Sequence, residues 1–395
     1  MSKKIALIIE RIDIALGGAE RSILELSSAL SALGAEVTIL AAKGQRQAEN
    51  LHILCGNRFG KRTCYFTFAK ALAEHISKNH YDIIHSVLPF DFADVYQPRG
   101  GTYTESIRRN AASYQSKPMD AFKKLTAFAN IRRTTLLRAE RKLCQQPKGP
   151  TIVAISQYVA QQFQQHYGVP AERIVVIPNG IRINATANTA KADRLRCQVL
   201  ARLGIRETDK AVFFLFVANN FRLKGLAALI KAMHIATRRE TGNAAFVIVA
   251  GSGKPRKYRR LAEKLDVHKK IIFLGPVKHV NDLLSIIDVG VLPTFYDPCS
   301  RFILEALAAG KPVITTRFNG ATDLFVNDRH GKVIDSPENV SELAEAISYF
   351  TDANNIENAS QSIVADNLRE KISVNRLAKE LLLVYDCISR RKGPQ

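Results

Sequence analysis

Apolar residues along the chain fall into short unbroken runs, separated by stretches in which they recur at helical spacing. The runs are rich in β-branched and aromatic residues: IALIIE, EVTILAA, YDIIHSV, TIVAIS and RIVVIP up to residue 178, then AVFFLFVA, AAFVIVAG, KIIFLG, DVGVLP and KPVITT. Strands without polar alternation are buried on both faces, and helix-length segments between them act as β-α-β crossovers. Each series therefore predicts a parallel sheet. Two series predict two doubly wound α/β domains. The pattern breaks at Ile177-Pro178-Asn179-Gly180-Ile181, where Pro and Asn-Gly precede the polar stretch NATANTAKAD. The expected division is an amino-terminal domain over 1–180 and a carboxyl-terminal domain over 181–367. In the last segment, 368–395, LREKISVNRLAKELLLVYDCISR carries leucines at helical spacing and predicts a helix crossing between the domains, followed by a short tail.

Composition narrows the class. The chain has 395 residues, 46% hydrophobic and 24% charged, which suits two or three folded domains and excludes disorder. No stretch approaches the roughly 18 unbroken apolar residues of a spanning helix. The opening turns charged at Glu10 and Arg11, so it reads as a first strand and the chain is expected to stay in the cytoplasm. Cys55, Cys64, Cys144, Cys197, Cys299 and Cys387 lie far apart with no C-x-x-C pair, which predicts reduced thiols and no metal site.

A formal charge of +21 predicts attraction to polyanions, whether nucleic acid, anionic lipid or phosphorylated substrate. Two stretches are dense: residues 105–148 hold eleven Lys/Arg against three acids, and Lys254, Arg256, Lys257, Arg259 and Arg260 follow one another closely. A solvated helix face accounts for either stretch as well as a binding surface does. The scattered remainder and the lack of a groove-reading or base-stacking motif argue against nucleic acid.

In open α/β sheets, ligands bind beyond the carboxyl ends of the strands, so the loops there are where chemistry is sought. Leu16-Gly17-Gly18-Ala19-Glu20 follows the first strand and opens a helix; its backbone N–H groups suit a phosphate, and a plain tight turn explains it equally well. It lacks the G-x-G-x-x-G spacing of a nicotinamide site. Asn219-Asn220-Phe221-Arg222-Leu223-Lys224-Gly225 follows the apolar run AVFFLFVA, and two cations there suit a pyrophosphate leaving group better than they suit mere solvation. Gly251-Ser252-Gly253-Lys254 repeats the glycine-plus-cation pattern after AAFVIVA. The most informative loop is Pro293-Thr294-Phe295-Tyr296-Asp297-Pro298-Cys299-Ser300, with Ser300 as N-cap of a helix running to a stop at Gly310. Asp297 and Glu305 stand eight residues apart, which suits contacts to different parts of one extended ligand. Glu305 lies in the apolar segment ILEALAA and requires a hydroxyl or cation partner. His85 and Asp94 are candidates for an acceptor-side base by position, although a histidine ending a buried strand is more often structural.

These motifs together resemble the retaining glycosyltransferases of family 4, whose GT-B fold pairs two Rossmann-like domains. The resemblance spans essentially the whole chain: Gly17-Gly18-Ala19-Glu20-Arg21-Ser22, VAISQYVAQQF, VVIPNGI, the R-x-K-G loop at 222–225, and the acidic residue at 297 separated by seven residues from Glu305, followed by EALAAGKPVITT. DVYQPRGGTYTESIRRN and YDPCSRFILEALAAG are most similar to bacterial lipopolysaccharide core glucosyltransferases, which add the first glucose to inner-core heptose.

The resemblance implies a hexose moved from a nucleoside-diphosphate sugar, UDP-glucose, to that heptose with retention and without a metal or other cofactor. It implies that Arg222 and Lys224 hold the donor diphosphate, with Leu223 where close relatives carry arginine. Asp297 takes the place of the family's first glutamate on the donor sugar, and Glu305 binds the ribose hydroxyls. Backbone groups of Pro298, Cys299, Ser300 and Arg301, together with Gly17, Gly18, Asn219, Gly225 and Gly251, complete the donor contacts. Asp94 and Arg99 are assigned to the acceptor. A phosphorylated lipid-linked acceptor on the inner leaflet implies a peripheral membrane protein. Phe122, Leu125, Phe128, Leu136 and Leu137, interleaved with Lys123, Lys124, Arg132, Arg133, Arg138 and Arg141, then suit an interfacial helix on anionic lipid, or a core-facing helix with a basic exterior. Two rivals keep the same fold: a family 4 transferase with another lipid-linked or polysaccharide acceptor, and a sugar-nucleotide epimerase.

Overall fold

The computed structural model describes residues 2–12, 18–44, 50–56, 63–127, 129–183, 189–239, 242–277 and 279–392. It divides into two compact units. The first comprises residues 1–111, 121–182 and 373–395, and the second residues 112–120 and 183–372.

The first unit holds seven parallel strands: β1 (Lys4–Ile12), β2 (Glu36–Gly44), β3 (Leu51–Ile53), β4 (Ile83–Ser86), β5 (Val95–Tyr96), β6 (Thr151–Ala154) and β7 (Ile174–Val176), in the order β3-β2-β1-β4-β5-β6-β7. β1 is central, with Ile5 opposite Val37 on one side and Ile83 on the other. Its period-two geometry sends Ile5, Leu7 and Ile9 into one core cluster and Ala6 and Ile8 into another, so a continuous apolar run is what this strand requires. The helix Gly18–Ala32 buries Ile23, Leu26 and Leu30 in the first cluster, beside Leu377, Ala378, Leu381 and Tyr385 of the helix Val374–Lys392. The terminal segment is two helices: Leu368–Lys371 in the second unit and Val374–Lys392 in the first.

Where the chain leaves and re-enters the first unit, its two passages touch. Ile181 bridges Ser373, the Val374 N–H donates to the Ile181 carbonyl at 2.8 Å, and a Cβ on Gly180 would lie 2.7 Å from the Ser373 oxygen. The Pro-Asn-Gly break at 178–180 is thus a close backbone crossing that only glycine permits.

The second unit holds β8 (Ala211–Val217), β9 (Ala244–Ala250), β10 (Ile271–Gly275), β11 (Val289–Leu292), β12 (Val313–Thr316) and β13 (Gly331–Ile334), all parallel in the order β10-β9-β8-β11-β12-β13. Strand order reverses between β8 and β11, so the loops leaving those neighbours part to opposite sides and open a crevice at their carboxyl ends. In the first unit the reversal falls between β1 and β4. Both sheets together are the two Rossmann-like halves of a GT-B fold.

Candidate functional site

The loops after β8 and β11 are sewn to each other before any side chain is considered. The Phe295 N–H donates to the Leu223 carbonyl at 2.9 Å, and the Thr294 hydroxyl donates to the same oxygen at 3.2 Å. Gly225 begins the helix Leu226–Ala236 with φ +81°, and a Cβ there would stand 1.8 Å from the Pro293 carbonyl oxygen. Only glycine satisfies both the left-handed backbone and that approach.

This scaffold brings Lys224 against Asp297. The ammonium donates to Asp297 Oδ2 at 2.6 Å and to the Tyr296 carbonyl at 2.9 Å, with both side chains largely buried. Asp297 is itself fixed by the loop after β12, since its N–H donates to the Phe318 carbonyl and its carbonyl accepts from the Gly320 N–H. Asn319 serves as a hub there: its Oδ1 accepts from the N–H groups of Ser300 and Ala321, and its Nδ2 donates to Thr315 Oγ1. Nothing in the reading of the loops pointed to Asn319; its one sequence signal is an Asn-Gly turn at a strand end.

Ser300 caps the helix Arg301–Ala308 through Ile303 N–H, and Gly310 follows at φ +74°. The capped start follows directly on the loop that carries Pro298 and buried Cys299. Glu305 lies one turn on. Arg301 approaches its Oε1 at 3.5 Å, and each side chain is 13% exposed. The cation that a half-buried glutamate requires thus comes from its own helix.

Arg222 turns elsewhere. Its guanidinium lies 3.7 Å over the Tyr114 ring and donates to the Ser113 hydroxyl, within the second unit. Burial pulls its pKa down, opposed by the nearby Tyr114 and Tyr258. Lys224 and Arg222 therefore have different partners despite their two-residue spacing. Asn219 accepts from the Ser252 hydroxyl at 2.9 Å, joining the loops after β8 and β9. Gly251, at φ +125°, allows the Ala218 carbonyl to approach within 1.8 Å of where a Cβ would be.

In the first unit, Gly18 opens the helix Gly18–Ala32, while Gly17 lies outside the described residues. Arg99 donates to Asn179 Oδ1 at 2.7 Å, and the Ser22 hydroxyl donates to the same oxygen at 3.3 Å. Asp94 accepts from the Ile84 N–H at 2.8 Å and pairs with Lys392 at 2.7 Å. His85 is fully buried, with its Nδ1 2.6 Å from the Tyr385 hydroxyl; burial, with the Arg99 charge adding to it and Gln97 opposing, drives the ring pKa down to about 3. A neutral histidine tied to the last helix is a structural group.

The basic stretch 105–148 comprises the end of the helix Tyr103–Ala112 and the helices Lys117–Ala127 and Ile131–Gln145. Phe122 and Leu125 are 55% and 74% exposed, whereas Leu136 is in the core and Leu137 is half-buried. Phe128 lies outside the described residues. Among the described residues no group of His, Cys, Asp or Glu is arranged to hold a metal, and no helix is long and apolar enough to cross a membrane.

The known proteins to which the chain is similar include glycosyltransferases. The chain is 23% identical over 337 residues to the lipopolysaccharide glucosyltransferase WaaG of Escherichia coli K12, covering 84% of this chain and 85% of that one. The crystal structure of WaaG, described as a glycosyltransferase involved in lipopolysaccharide biosynthesis, superposes with a TM-score of 0.72 at 21% identity, over 97% of this chain and 99% of that one. HepE of Anabaena, solved with UDP and glucose, superposes with a TM-score of 0.68 at 17% identity, over 98% of this chain and all of that one. The family model for Glycosyltransferase Family 4 matches residues 16–185, and that for Glycosyl transferases group 1 matches residues 202–366. With one model on each half, the chain belongs to the GT-B glycosyltransferases.

Proposed function

We propose that the chain moves glucose from UDP-glucose to a heptose of the lipopolysaccharide inner core with retention of configuration. The observation that carries this reading is the buried Lys224–Asp297 pair at the point where β8 and β11 part, followed by the capped helix that bears Arg301 and Glu305. In this reading Lys224, with Arg222, balances charge on the departing nucleoside diphosphate. Asp297 orients Lys224 and reaches the sugar hydroxyls, and Glu305 accepts from the ribose hydroxyls. The N–H groups at 298–301 support the sugar and phosphate. Asp94 and Arg99 are assigned to the acceptor.

The acceptor oxygen bonds to the anomeric carbon on the face from which the phosphate oxygen departs, and that phosphate oxygen takes the acceptor's proton. Two cations supply the positive charge, so the step calls for no metal, and rates should be unchanged in EDTA. The names of the similar proteins, a lipopolysaccharide glucosyltransferase and an enzyme solved with UDP and glucose, support the donor and acceptor assignments.

Calorimetric titration of UDP-glucose tests the site. Glu305→Ala and Lys224→Ala should each weaken binding by about tenfold or more, the loss of a charge-assisted contact. Wild-type affinity in both variants would remove the basis of the assignment. Peripheral docking on anionic membrane through Phe122, Leu125 and neighbouring Lys123 completes the reading. Co-sedimentation checks it: wild type should partition to anionic vesicles in preference to neutral ones, and Phe122→Ser/Leu125→Ser should not.

A further inference from the structure

The backbone on either side of Arg222 has anchors of its own. Phe221 is buried, and its ring meets those of Phe216 and Tyr258 edge-on, with centroids 6.0 and 5.7 Å apart. The Leu223 N–H donates to Asn220 Oδ1 at 3.2 Å, and Lys224 is tied to Asp297. What the loop leaves open is the direction of the Arg222 side chain, a long stem with several rotatable bonds. Two residues from a distant segment settle it. The Tyr114 ring lies 3.7 Å from the guanidinium, and the Ser113 hydroxyl accepts from Nη1.

Residues 112–120 pack with the second unit, although residues 111 and 121 on either side of them pack with the first. Ser113 is buried there. Gln115, next after the tyrosine, has φ +55°, and its N–H donates to the Ala112 carbonyl at 3.0 Å. A glutamine in the left-handed region persists where surrounding contacts over-determine it. The turn thus presents Tyr114 at a cost to its own backbone. Stacking engages the flat face of a guanidinium, whereas its N–H donors lie in the plane, so a stacked arginine still recognises phosphate through its edge. In this stacked position Arg222 lines a cleft of about 740 Å³ together with Asn219, Asn220, Gly253, Lys254 and Tyr258. The contact therefore holds the cation at the edge of open space and does not withdraw it into the core.

We propose that Tyr114, with Ser113 beside it, is the positioning residue of Arg222. Resting on the function proposed above, the donor diphosphate then meets a guanidinium already fixed in direction and does not have to order it on binding. The tyrosine touches no substrate in this account and acts only through the arginine.

Calorimetric titration of inorganic pyrophosphate, and separately of UDP-glucose, into the full chain tests this with Tyr114→Leu, Tyr114→Phe, Arg222→Ala and Arg222→Ala/Tyr114→Leu. Leucine keeps apolar bulk without a π face, and phenylalanine keeps the face. Tyr114→Leu should weaken both ligands about fivefold, the strength of a partly desolvated cation–π contact expressed as an affinity ratio. Tyr114→Phe should bind as wild type does. Once Arg222 is alanine, Tyr114→Leu should cost nothing more, whereas a merely structural ring would give losses that add. Equal losses in the leucine and phenylalanine variants, additive losses in the double variant, or wild-type pyrophosphate affinity in Arg222→Ala would each overturn the proposal. Tighter binding in Tyr114→Leu would overturn it too, by making the stack a restraint on Arg222. Should UDP-glucose fail to bind wild type while pyrophosphate gives the expected pattern, the donor assignment falls and the positioning role stands.

Discussion

Replacing Gly225 with alanine perturbs the site through its backbone. The residue sits at φ +81°, and the added Cβ would meet the Pro293 oxygen at 1.8 Å and its carbonyl carbon at 2.8 Å. Alanine in the left-handed region costs about 1 kcal/mol. Relieving the contact requires the main chain at 293 to retreat by about 1 Å or more, since non-bonded carbon and oxygen approach no nearer than about 3 Å. That retreat strains the bonds from Phe295 N–H and Thr294 hydroxyl to the Leu223 carbonyl, each contributing about 1 kcal/mol. The total is about 3 kcal/mol, which lowers the melting temperature of a unit this size by about 10 °C. Gly310 provides the control: it has φ +74°, but nothing lies within 4 Å of its would-be Cβ. Gly310→Ala should therefore cost about 1 kcal/mol, or about 3 °C. The chain has no tryptophan, so far-ultraviolet circular dichroism is the natural probe. Equal shifts for the two variants would refute the close-approach argument and leave only backbone conformation.

Two further outcomes follow from the ion pairs and buried acids. Lys224→Met and Asp297→Asn should each cost about 2 kcal/mol in urea unfolding, and the double variant should cost at least 1 kcal/mol less than the sum; strict additivity would mean the 2.6 Å pair carries no coupling. Glu140 accepts from the hydroxyls of Tyr96 and Tyr167 and from the Tyr103 N–H, and burial, outweighing those hydrogen bonds, raises its carboxyl from 4.5 to about 7. The folded protein therefore binds that proton more tightly than the unfolded chain, so stability is greatest below 4.5 and is lost as pH rises through about 7. Relative to Glu140→Gln, wild type should lose about 2 kcal/mol between pH 5 and pH 8, and parallel pH profiles would contradict the burial argument.

The strands that were legible are those set in longer apolar runs, as three-residue β7 is in RIVVIP. AVFFLFV and AAFVIVA are seven residues each and buried on both faces, whereas β5 is Val95–Tyr96 alone and β3 is three residues, too short for any period to show. The loop 293–300 could be read because it combines an apolar strand, a serine cap and a glycine stop, all local signals. The direction of Arg222 could not: its partner Tyr114 is more than a hundred residues away in the chain, and stacking on it is a tertiary matter. For the same reason the segment around Phe122 looked continuous with Leu136, although one is exposed and the other buried. Glu305's need for a cation was predictable from its apolar setting, and Arg301 four residues earlier was the nearest local answer.

The helix Val374–Lys392 closes a core whose other walls are made by residues 5–177. Leu377, Ala378, Leu381 and Tyr385 are completely covered there, and burial of each large side chain contributes about 2 kcal/mol. During synthesis the ribosome delivers the whole intervening stretch 183–372 before that plug exists. The nascent amino-terminal sheet waits with Ile23, Leu26 and Leu30 partly uncovered until that helix emerges, a window in which a chaperone holdase would find its apolar face.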